Sequence, residues 1–226
     1  AVKCALEVGY RSIDTASVYK NEQGVGKAIL ESDIPREEIF IITKVWNDDQ
    51  RAKRTMAAFE ESLEQLDTEY VDLYLIHWPV KDCYLETWQV MEEIYQSGRA
   101  RAIGVSNFTI HHIEDILKSS EIVPTVNQVE FHPLLVQPEL LQFCQSHNIQ
   151  VQARNPLMQG QIVTNQTVQK LAKKYQRTPA QIVLRWDLQH EVVTIPKSVH
   201  ASRIAENARI FDFEISQEDM KILDGL

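Results

Sequence analysis

The chain has 226 residues, 44% of them hydrophobic and 24% charged, which is enough for one large domain with a substantial apolar core. Its formal net charge of −9 argues against a nucleic-acid partner, which requires a basic surface, and no apolar run reaches the roughly 20 residues of a membrane helix. The three cysteines are far apart and form no CxxC pair, which indicates free thiols rather than a zinc site. No signal peptide is evident, so we expect a cytoplasmic protein.

Seven short apolar runs recur along the chain and predict parallel strands that are covered by helices on their outer face. In chain order they are Arg11–Ile13, Ile39–Ile42, Val71–Ile76, Ala102–Val105, Val126–Val129, Ile149–Ala153 and Val192–Ile195. No linker rich in Pro, Ser or Gly interrupts the series. We therefore expect residues 1–226 to form a single domain.

Amphipathic segments lie between the runs. Residues 51–66 and 86–96 each place their apolar side chains on one helical face. Two further helix starts, Thr178–Gln181 and Ser216–Asp219, have the sequence of a capping box, the second with Asp in place of the usual Glu or Gln. Strands therefore alternate with helices along the whole chain.

Strict alternation implies a parallel sheet with helical crossovers, either a closed barrel or an open doubly wound sheet. No GxGxxG motif follows any run, which weakens the doubly wound reading. A complete barrel needs eight strands and about 250 residues. Seven runs, in a chain whose helical pattern begins at Ala1, predict a (β/α)8 barrel whose first strand is missing from this sequence.

Polar or titratable side chains follow successive runs, at the end where barrel enzymes place their active sites. They are, in order, Asp14 with Tyr19, Lys44, His77, Ser106 with Asn107, Gln128 with Glu130, and Lys197 with Ser198. Any one of them alone has an ordinary explanation, such as a structural histidine or a surface lysine. Six such groups at the same end of successive strands indicate one site.

The residue types favour protonation of a carbonyl oxygen. A lysine beside Tyr19 is expected to lower the phenol pKa from its reference of about 10, while Asp14 would keep Lys44 charged and fixed. Tyr19 is then the candidate proton donor, and His77 can orient or polarise the carbonyl. The sequence shows no nucleophile with a partnered base and no metal-ligand spacing, so a cofactor must supply the hydride.

The last run leads into a predicted anion site. Lys197 and Ser198 precede a helix that carries Arg203, and a lysine, a hydroxyl and a helix N-terminus together favour a phosphate. Barrels commonly hold phosphate after their final strands.

At these positions the sequence resembles the aldo-keto reductase family over essentially its whole length, most closely the bacterial diketogluconate and methylglyoxal reductase type. The segments that carry the resemblance are Gly9–Ala16, Tyr19–Glu22, Ile42–Trp46, Leu73–Pro79, Gly104–Phe108, Asn127–Gln128 and Ile195–Ser198. The resemblance makes Asp14, Tyr19, Lys44 and His77 the catalytic tetrad.

What the resemblance implies is reversible, NADPH-linked reduction of aldehydes or ketones to alcohols. It assigns Ser106, Asn107 and Gln128 to the nicotinamide carboxamide, and Trp46 and Trp78 to an apolar substrate pocket. The adenosine 2′-phosphate and adenine site would comprise Lys197, Ser198, Arg203, Glu206 and Asn207, with further cofactor contacts from Arg154, Asn155 and Leu157. We expect a monomer whose partner is the small aldehyde or ketone itself.

Three departures from the family pattern stand out. The family's first strand is absent before Ala1, and the chain stops at Leu226, ahead of the C-terminal loop that helps select substrates. Arg154 stands where the family has an aromatic side chain stacked on the nicotinamide. Asn155 replaces a usual serine and could still hydrogen-bond a phosphate. The positive charge of Arg154 would disfavour the oxidised, cationic ring.

Two alternatives stay open at this stage. A non-catalytic, cofactor-binding regulatory or structural member of the same fold would be consistent with the missing strand and with Arg154. A barrel hydrolase would place a metal ion among His77, Asp14 and His132, although the sequence lacks the further ligand that such a site needs.

Overall fold

The computed structural model describes residues 1–226 as seven strands and eleven α-helices. The strands are β1 (Ser12–Asp14), β2 (Phe40–Val45), β3 (Leu73–Ile76), β4 (Ile103–Ser106), β5 (Val126–Glu130), β6 (Gln150–Arg154) and β7 (Val193–Thr194). The helices are α1 (Val2–Glu7), α2 (Glu22–Leu30), α3 (Asn47–Arg51), α4 (Thr55–Leu66), α5 (Tyr84–Gln96), α6 (Ile110–Ser119), α7 (Pro138–Ser146), α8 (Gln166–Tyr175), α9 (Pro179–Gln189), α10 (Ala201–Asn207) and α11 (Gln217–Asp224). Three 3-10 segments complete the structure: Ser17–Tyr19, Arg36–Glu38 and Met158–Thr164.

All seven strands are parallel and lie in one sheet in the order of the sequence. This order confirms the seven predicted strands and excludes a doubly wound sheet, in which the order reverses at a switch point. The sheet is the curled parallel sheet of a (β/α)8 barrel, as predicted. Within these residues it does not close, because β1 and β7 are edge strands that do not pair with each other.

Side chains alternate between the two faces of each strand, and this alternation positions the site. In β3, Tyr74 and Ile76 belong to the large core between sheet and helices, whereas Leu73 and Leu75 form a separate inner cluster with Ile42. Two residues beyond Ile42 in β2 comes Lys44, which therefore shares the inner face with this cluster. A lysine that is fully buried there requires a partner.

The helices that were named from the sequence occur in the structure, with two corrections. The single helix predicted over residues 51–66 is interrupted between α3 and α4, because Lys53 has the left-handed φ of 54°. Thr178 forms the expected reciprocal capping box at α9. At α11, Ser216 accepts the backbone N–H of Asp219 without a return bond, since the Asp side chain is one methylene shorter than the usual Glu.

None of the helices combines the length and the hydropathy needed to cross a lipid bilayer.

Candidate active site

Lys44 lies at the centre of the site with its side chain completely buried. Its Nζ donates to Asp14 Oδ1 at 2.6 Å and to the carbonyl oxygen of Thr15 at 2.8 Å. The second carboxylate oxygen, Asp14 Oδ2, accepts a hydrogen bond from Gln128 Nε2 at 2.7 Å. Burial lowers the pKa of Lys44, and the attraction and hydrogen bond of Asp14 oppose that shift. The ammonium and the carboxylate therefore depend on each other.

Tyr19 and His77 lie against this pair. The Tyr19 ring centroid is 5.4 Å from Lys44 Nζ and 5.7 Å from the His77 ring, which it meets edge-on. The ring of Trp46 approaches His77 from another side, with centroids 5.0 Å apart. Tyr19 is 48% exposed and its hydroxyl makes no hydrogen bond, so the phenol is accessible to a ligand. The structure thus brings together the four side chains that the sequence proposes as catalytic.

The pKa of Tyr19 departs from the expectation. Burial and the negative charge of Asp14 raise it to about 12, while Arg154 acts in the lowering direction. The lowering predicted from the neighbouring lysine is wrong for this arrangement, because the Lys44 amine is directed at Asp14 and Thr15 rather than at the phenol. At neutral pH the Tyr19 hydroxyl therefore keeps its proton, which is the form that a proton donor requires.

His77 is a neutral imidazole in this environment. Burial, followed by the positive charges of Lys44 and Arg154, lowers its pKa to about 3. Its Nδ1 atom is buried without a hydrogen-bond partner. A neutral ring can either donate or accept a hydrogen bond at the substrate, and it adds no positive charge beside Tyr19.

We expect His77 to stay neutral at about pH 5, below the ordinary histidine pKa of about 6.5. The folded-state pKa is depressed, so the unfolded chain takes up a proton that the folded chain does not. The contribution to stability is therefore complete above about pH 6.5 and is lost as the pH falls towards 3. The ¹⁵N chemical shifts of the His77 imidazole, assigned by comparison with His77→Asn, report the charge of the ring. A titration midpoint above pH 5 would contradict the burial argument.

The amide and hydroxyl side chains of the neighbouring strand ends form a linked set. Ser106 Oγ donates to the carbonyl oxygen of Gln128 at 2.7 Å, and Asn107 Nδ2 donates to the carbonyl oxygen of His77 at 2.8 Å. Gln128 Nε2 bridges Asp14 to Gln152 Oε1, the latter at 2.6 Å. These contacts connect the residues predicted to bind a carboxamide directly to the tetrad.

Arg154, at the end of β6, is held by two partners. Its Nε donates to Asn107 Oδ1 at 2.8 Å, and its Nη2 forms an ion pair with Glu130 Oε2 at 3.1 Å. The guanidinium carbon lies 5.6 Å from the ring centroid of Trp78, which is 40% exposed at the same mouth. Asn155 Nδ2 binds the other oxygen of Glu130 at 2.9 Å. Arg154 is thus a paired charge, so its effect on a cationic ring is weaker than that of an isolated guanidinium.

The predicted phosphate residues lie in the loop after β7 and in α10. Lys197 and Arg203 are exposed, and neither forms an ion pair or a side-chain hydrogen bond. Ser198 Oγ accepts the backbone N–H of His200 at 3.1 Å. Glu206 Oε1 accepts from Thr178 Oγ1 at 2.8 Å, and Asn207 is buried. Two unpaired cations and a hydroxyl on this loop and helix are of the donor types that bind a phosphate group. Leu157 packs against the main core.

Sequence reasoning missed two contributors to this network. Gln152 is a buried polar residue of β6 between the apolar Val151 and Ala153, and that polar residue in a buried position was the available signal. Ser17 Oγ donates to the carbonyl oxygen of Lys44 at 3.1 Å and thereby fixes the loop that carries Tyr19. No local pattern distinguishes that serine from others.

The metal site of the hydrolase alternative is not assembled. His132 Nε2 lies 3.4 Å from Glu130 Oε1 instead of joining His77 and Asp14. No group of three His, Cys, Asp or Glu side chains is placed to hold a metal ion.

Comparison with known proteins decides the family. The sequence model of the Aldo/keto reductase family matches residues 1–226. The chain belongs to the aldo-keto reductase family. This aldo-keto reductase is 58% identical over 226 residues to the glyoxal reductase of Bacillus subtilis (strain 168), covering 100% of this chain and 82% of that protein. It is 47% identical over 224 residues to methylglyoxal reductase DkgA of Escherichia coli (strain K12), and the match covers 97% of this chain and 81% of that protein.

Solved structures agree with this assignment. The crystal structure of MGS-M4, an aldo-keto reductase from a Medee basin deep-sea metagenome library, superposes with a TM-score of 0.96 at 47% identity, covering 99% of this chain and 84% of that one. The aldo-keto reductase of Bombyx mori in complex with NADP gives a TM-score of 0.93 at 40% identity, and the match covers 100% of this chain and 81% of that one. This aldo-keto reductase therefore has the fold of its family.

Proposed function

We propose that this aldo-keto reductase reduces small aldehydes and ketones to alcohols with NADPH, and that Tyr19 donates the proton to the carbonyl oxygen. The observation that carries the proposal is an accessible, protonated Tyr19 phenol beside the buried Lys44–Asp14 pair and the neutral His77. Relatives named glyoxal reductase and methylglyoxal reductase point to 2-oxoaldehydes as substrates. A structural relative in complex with NADP supports the cofactor.

The side chains present fit NADPH. The unpaired cations Lys197 and Arg203, with Ser198, would hold the 2′-phosphate, with Glu206 and Asn207 beside them toward the adenine. Ser106, Asn107 and Gln128 would hold the carboxamide of the ring, and Asn155 and Leu157 would line the path between the two ends. Bound NADPH supplies the hydride that reduces the carbonyl carbon.

The chain's own residues handle the proton. Tyr19 donates its hydroxyl proton to the carbonyl oxygen as negative charge develops there. Asp14 holds the Lys44 ammonium 5.4 Å from the Tyr19 ring centroid, where its positive charge offsets part of the negative charge of the phenolate that remains, without a hydrogen bond to the phenol. His77 orients the carbonyl by a hydrogen bond, while Trp46 and Trp78 provide an apolar wall that limits water at the site.

A turnover assay tests the proposal against the non-catalytic alternative. The purified protein, mixed with NADPH and methylglyoxal, is expected to consume NADPH and to form the corresponding hydroxy ketone or hydroxy aldehyde. NADPH consumption without a carbonyl substrate is the blank. Binding of NADPH with no turnover of methylglyoxal, glyoxal or a nitrobenzaldehyde would instead support a regulatory or structural member of the family.

Lys197→Met combined with Arg203→Leu is expected to weaken NADPH binding about a hundredfold while changing NADH binding little. Each charged hydrogen bond to phosphate contributes roughly 1.5–3 kcal/mol, and NADH lacks the 2′-phosphate that these side chains would bind. Equilibrium titration with both nucleotides measures the difference. Equal weakening of NADPH and NADH would remove the two residues from the 2′-phosphate site.

A further inference from the structure

Arg154 ends strand β6 and lies next to residues of the candidate active site. It contacts Asn107, whose amide in turn donates to the backbone of His77, and it lies near the ring of Trp78. Its charge opposes the rise that burial and Asp14 cause in the pKa of Tyr19, and it adds to the lowering that burial and Lys44 cause in the pKa of His77. Arg154 therefore faces the same space as the proton donor and the neutral imidazole.

That space must also contain the reactive part of the cofactor. A carbonyl that accepts the Tyr19 proton has its oxygen within hydrogen-bond distance of the hydroxyl. The hydride donor must lie within about 3.5 Å of the carbonyl carbon. A ring that meets both conditions lies within a few ångströms of the groups that Arg154 contacts or influences.

The charge of the ring changes during the reaction. The reduced nicotinamide is neutral, and loss of a hydride leaves it with one positive charge. A guanidinium nearby repels the oxidised ring and leaves the reduced ring almost unaffected. Glu130 pairs with Arg154 at 3.1 Å and offsets part of this repulsion, while the two side chains remain 32% and 31% exposed, which screens the effect further.

We propose, on the basis of the proposed function, that Arg154 and Glu130 determine which redox state of the cofactor the site prefers. Arg154 disfavours the oxidised ring and so promotes release of the spent cofactor. Glu130 limits that preference by offsetting part of the guanidinium charge. The pair is a specificity-determining element of this chain, formed where β5 and β6 end side by side, in the register Glu130↔Arg154.

Isothermal titration calorimetry measures the dissociation constants of NADP⁺ and of NADPH. The ratio of the NADP⁺ constant to the NADPH constant tests the proposal. The two nucleotides share the adenosine, the pyrophosphate and the 2′-phosphate, so changes at those sites cancel in the ratio. Arg154→Gln is expected to lower the ratio by roughly three- to tenfold, because the repulsion is lost. Glu130→Gln is expected to raise it by about tenfold, because the guanidinium is no longer neutralised.

Two further variants serve as controls. Arg154→Lys keeps the charge and is expected to keep the wild-type ratio within about twofold. Arg177→Gln breaks a comparable ion pair, with Asp212 at 2.9 Å, outside the proposed site and is expected to leave the ratio unchanged. General loosening of the structure weakens both nucleotides together and cannot produce opposite displacements in the two test variants.

An unchanged ratio in both Arg154→Gln and Glu130→Gln, or displacement in the same direction, would overturn the inference while leaving the proposed function standing. If the wild-type protein bound neither NADP⁺ nor NADPH, the proposed function would be overturned, and the inference with it. Opposite displacements of the predicted sign would establish the pair as the determinant.

Discussion

Tyr19→Phe is expected to lower the kcat for carbonyl reduction by about a thousandfold, within the range that general acid catalysis contributes. The substitution removes only the hydroxyl, which makes no hydrogen bond in the structure, so the edge-on contact of the ring with His77 remains. Binding of NADPH and thermal stability are expected to change little. Steady-state kinetics with methylglyoxal, together with a nucleotide titration, measure both quantities.

Tyr95→Phe is the matched control. Tyr95 is 41% exposed in α5, outside the site, and the same loss of a hydroxyl there is expected to leave kcat unchanged. If Tyr19→Phe retained most of the wild-type activity, Tyr19 could not be the proton donor. The phenol would then be only a wall of the substrate pocket.

Asp14→Asn is expected to lower the free energy of unfolding by about 3 kcal/mol, the lower end of the range for breaking a buried ion pair. The substitution leaves the Lys44 ammonium fully buried without its anionic partner, because the Asn oxygen and the Thr15 carbonyl can accept its hydrogen bonds but carry no charge. The 13% exposure of Asp14 places the pair close to solvent and keeps the expected loss at the lower end. Urea denaturation, with the slope compared between variants, measures the change.

Lys44→Met in the Asp14→Asn background is expected to restore part of that stability, because the unpaired charge is then gone. A matched control is Asp48→Asn, which breaks the exposed ion pair with Arg51 and is expected to have little effect. If the losses of unfolding free energy in Asp14→Asn alone and in Lys44→Met alone simply add in the double variant, the two residues do not depend on each other. Both tetrad variants are expected to be inactive whatever their stability.

The strands and their ends were predictable for a physical reason. A strand buried on both faces must be apolar throughout, so segments such as Leu73–Ile76 stand out in the sequence. In a parallel sheet all carboxyl ends lie at one edge, and the first polar residue after each run therefore points to a common site. Asp14, Lys44 and His77 were found in this way, and the structure brings them together with Tyr19.

The electrostatics of the site could not be predicted from spacing. Whether Lys44 lowers the pKa of Tyr19 depends on which acceptor its amine reaches, and the Asp14 carboxylate and the Thr15 carbonyl are closer competitors than the phenol. The pairing of Arg154 with Glu130 likewise depends on the register of β5 against β6. Twenty-four residues separate the two in sequence, and no local pattern relates them.

The central claim is that a hydride passes from NADPH to a carbonyl carbon at the mouth formed by Tyr19, Lys44, Asp14 and His77. Reduction of methylglyoxal with NADPH that carries deuterium on the hydride-donating ring carbon tests it most directly, with the product analysed by mass spectrometry. We predict one deuterium bound to the carbon of the new alcohol in the wild-type product, and formation of this product about a thousandfold more slowly by Tyr19→Phe. An alcohol without deuterium at that carbon, or labelled product from the variant at the wild-type rate, would contradict the claim.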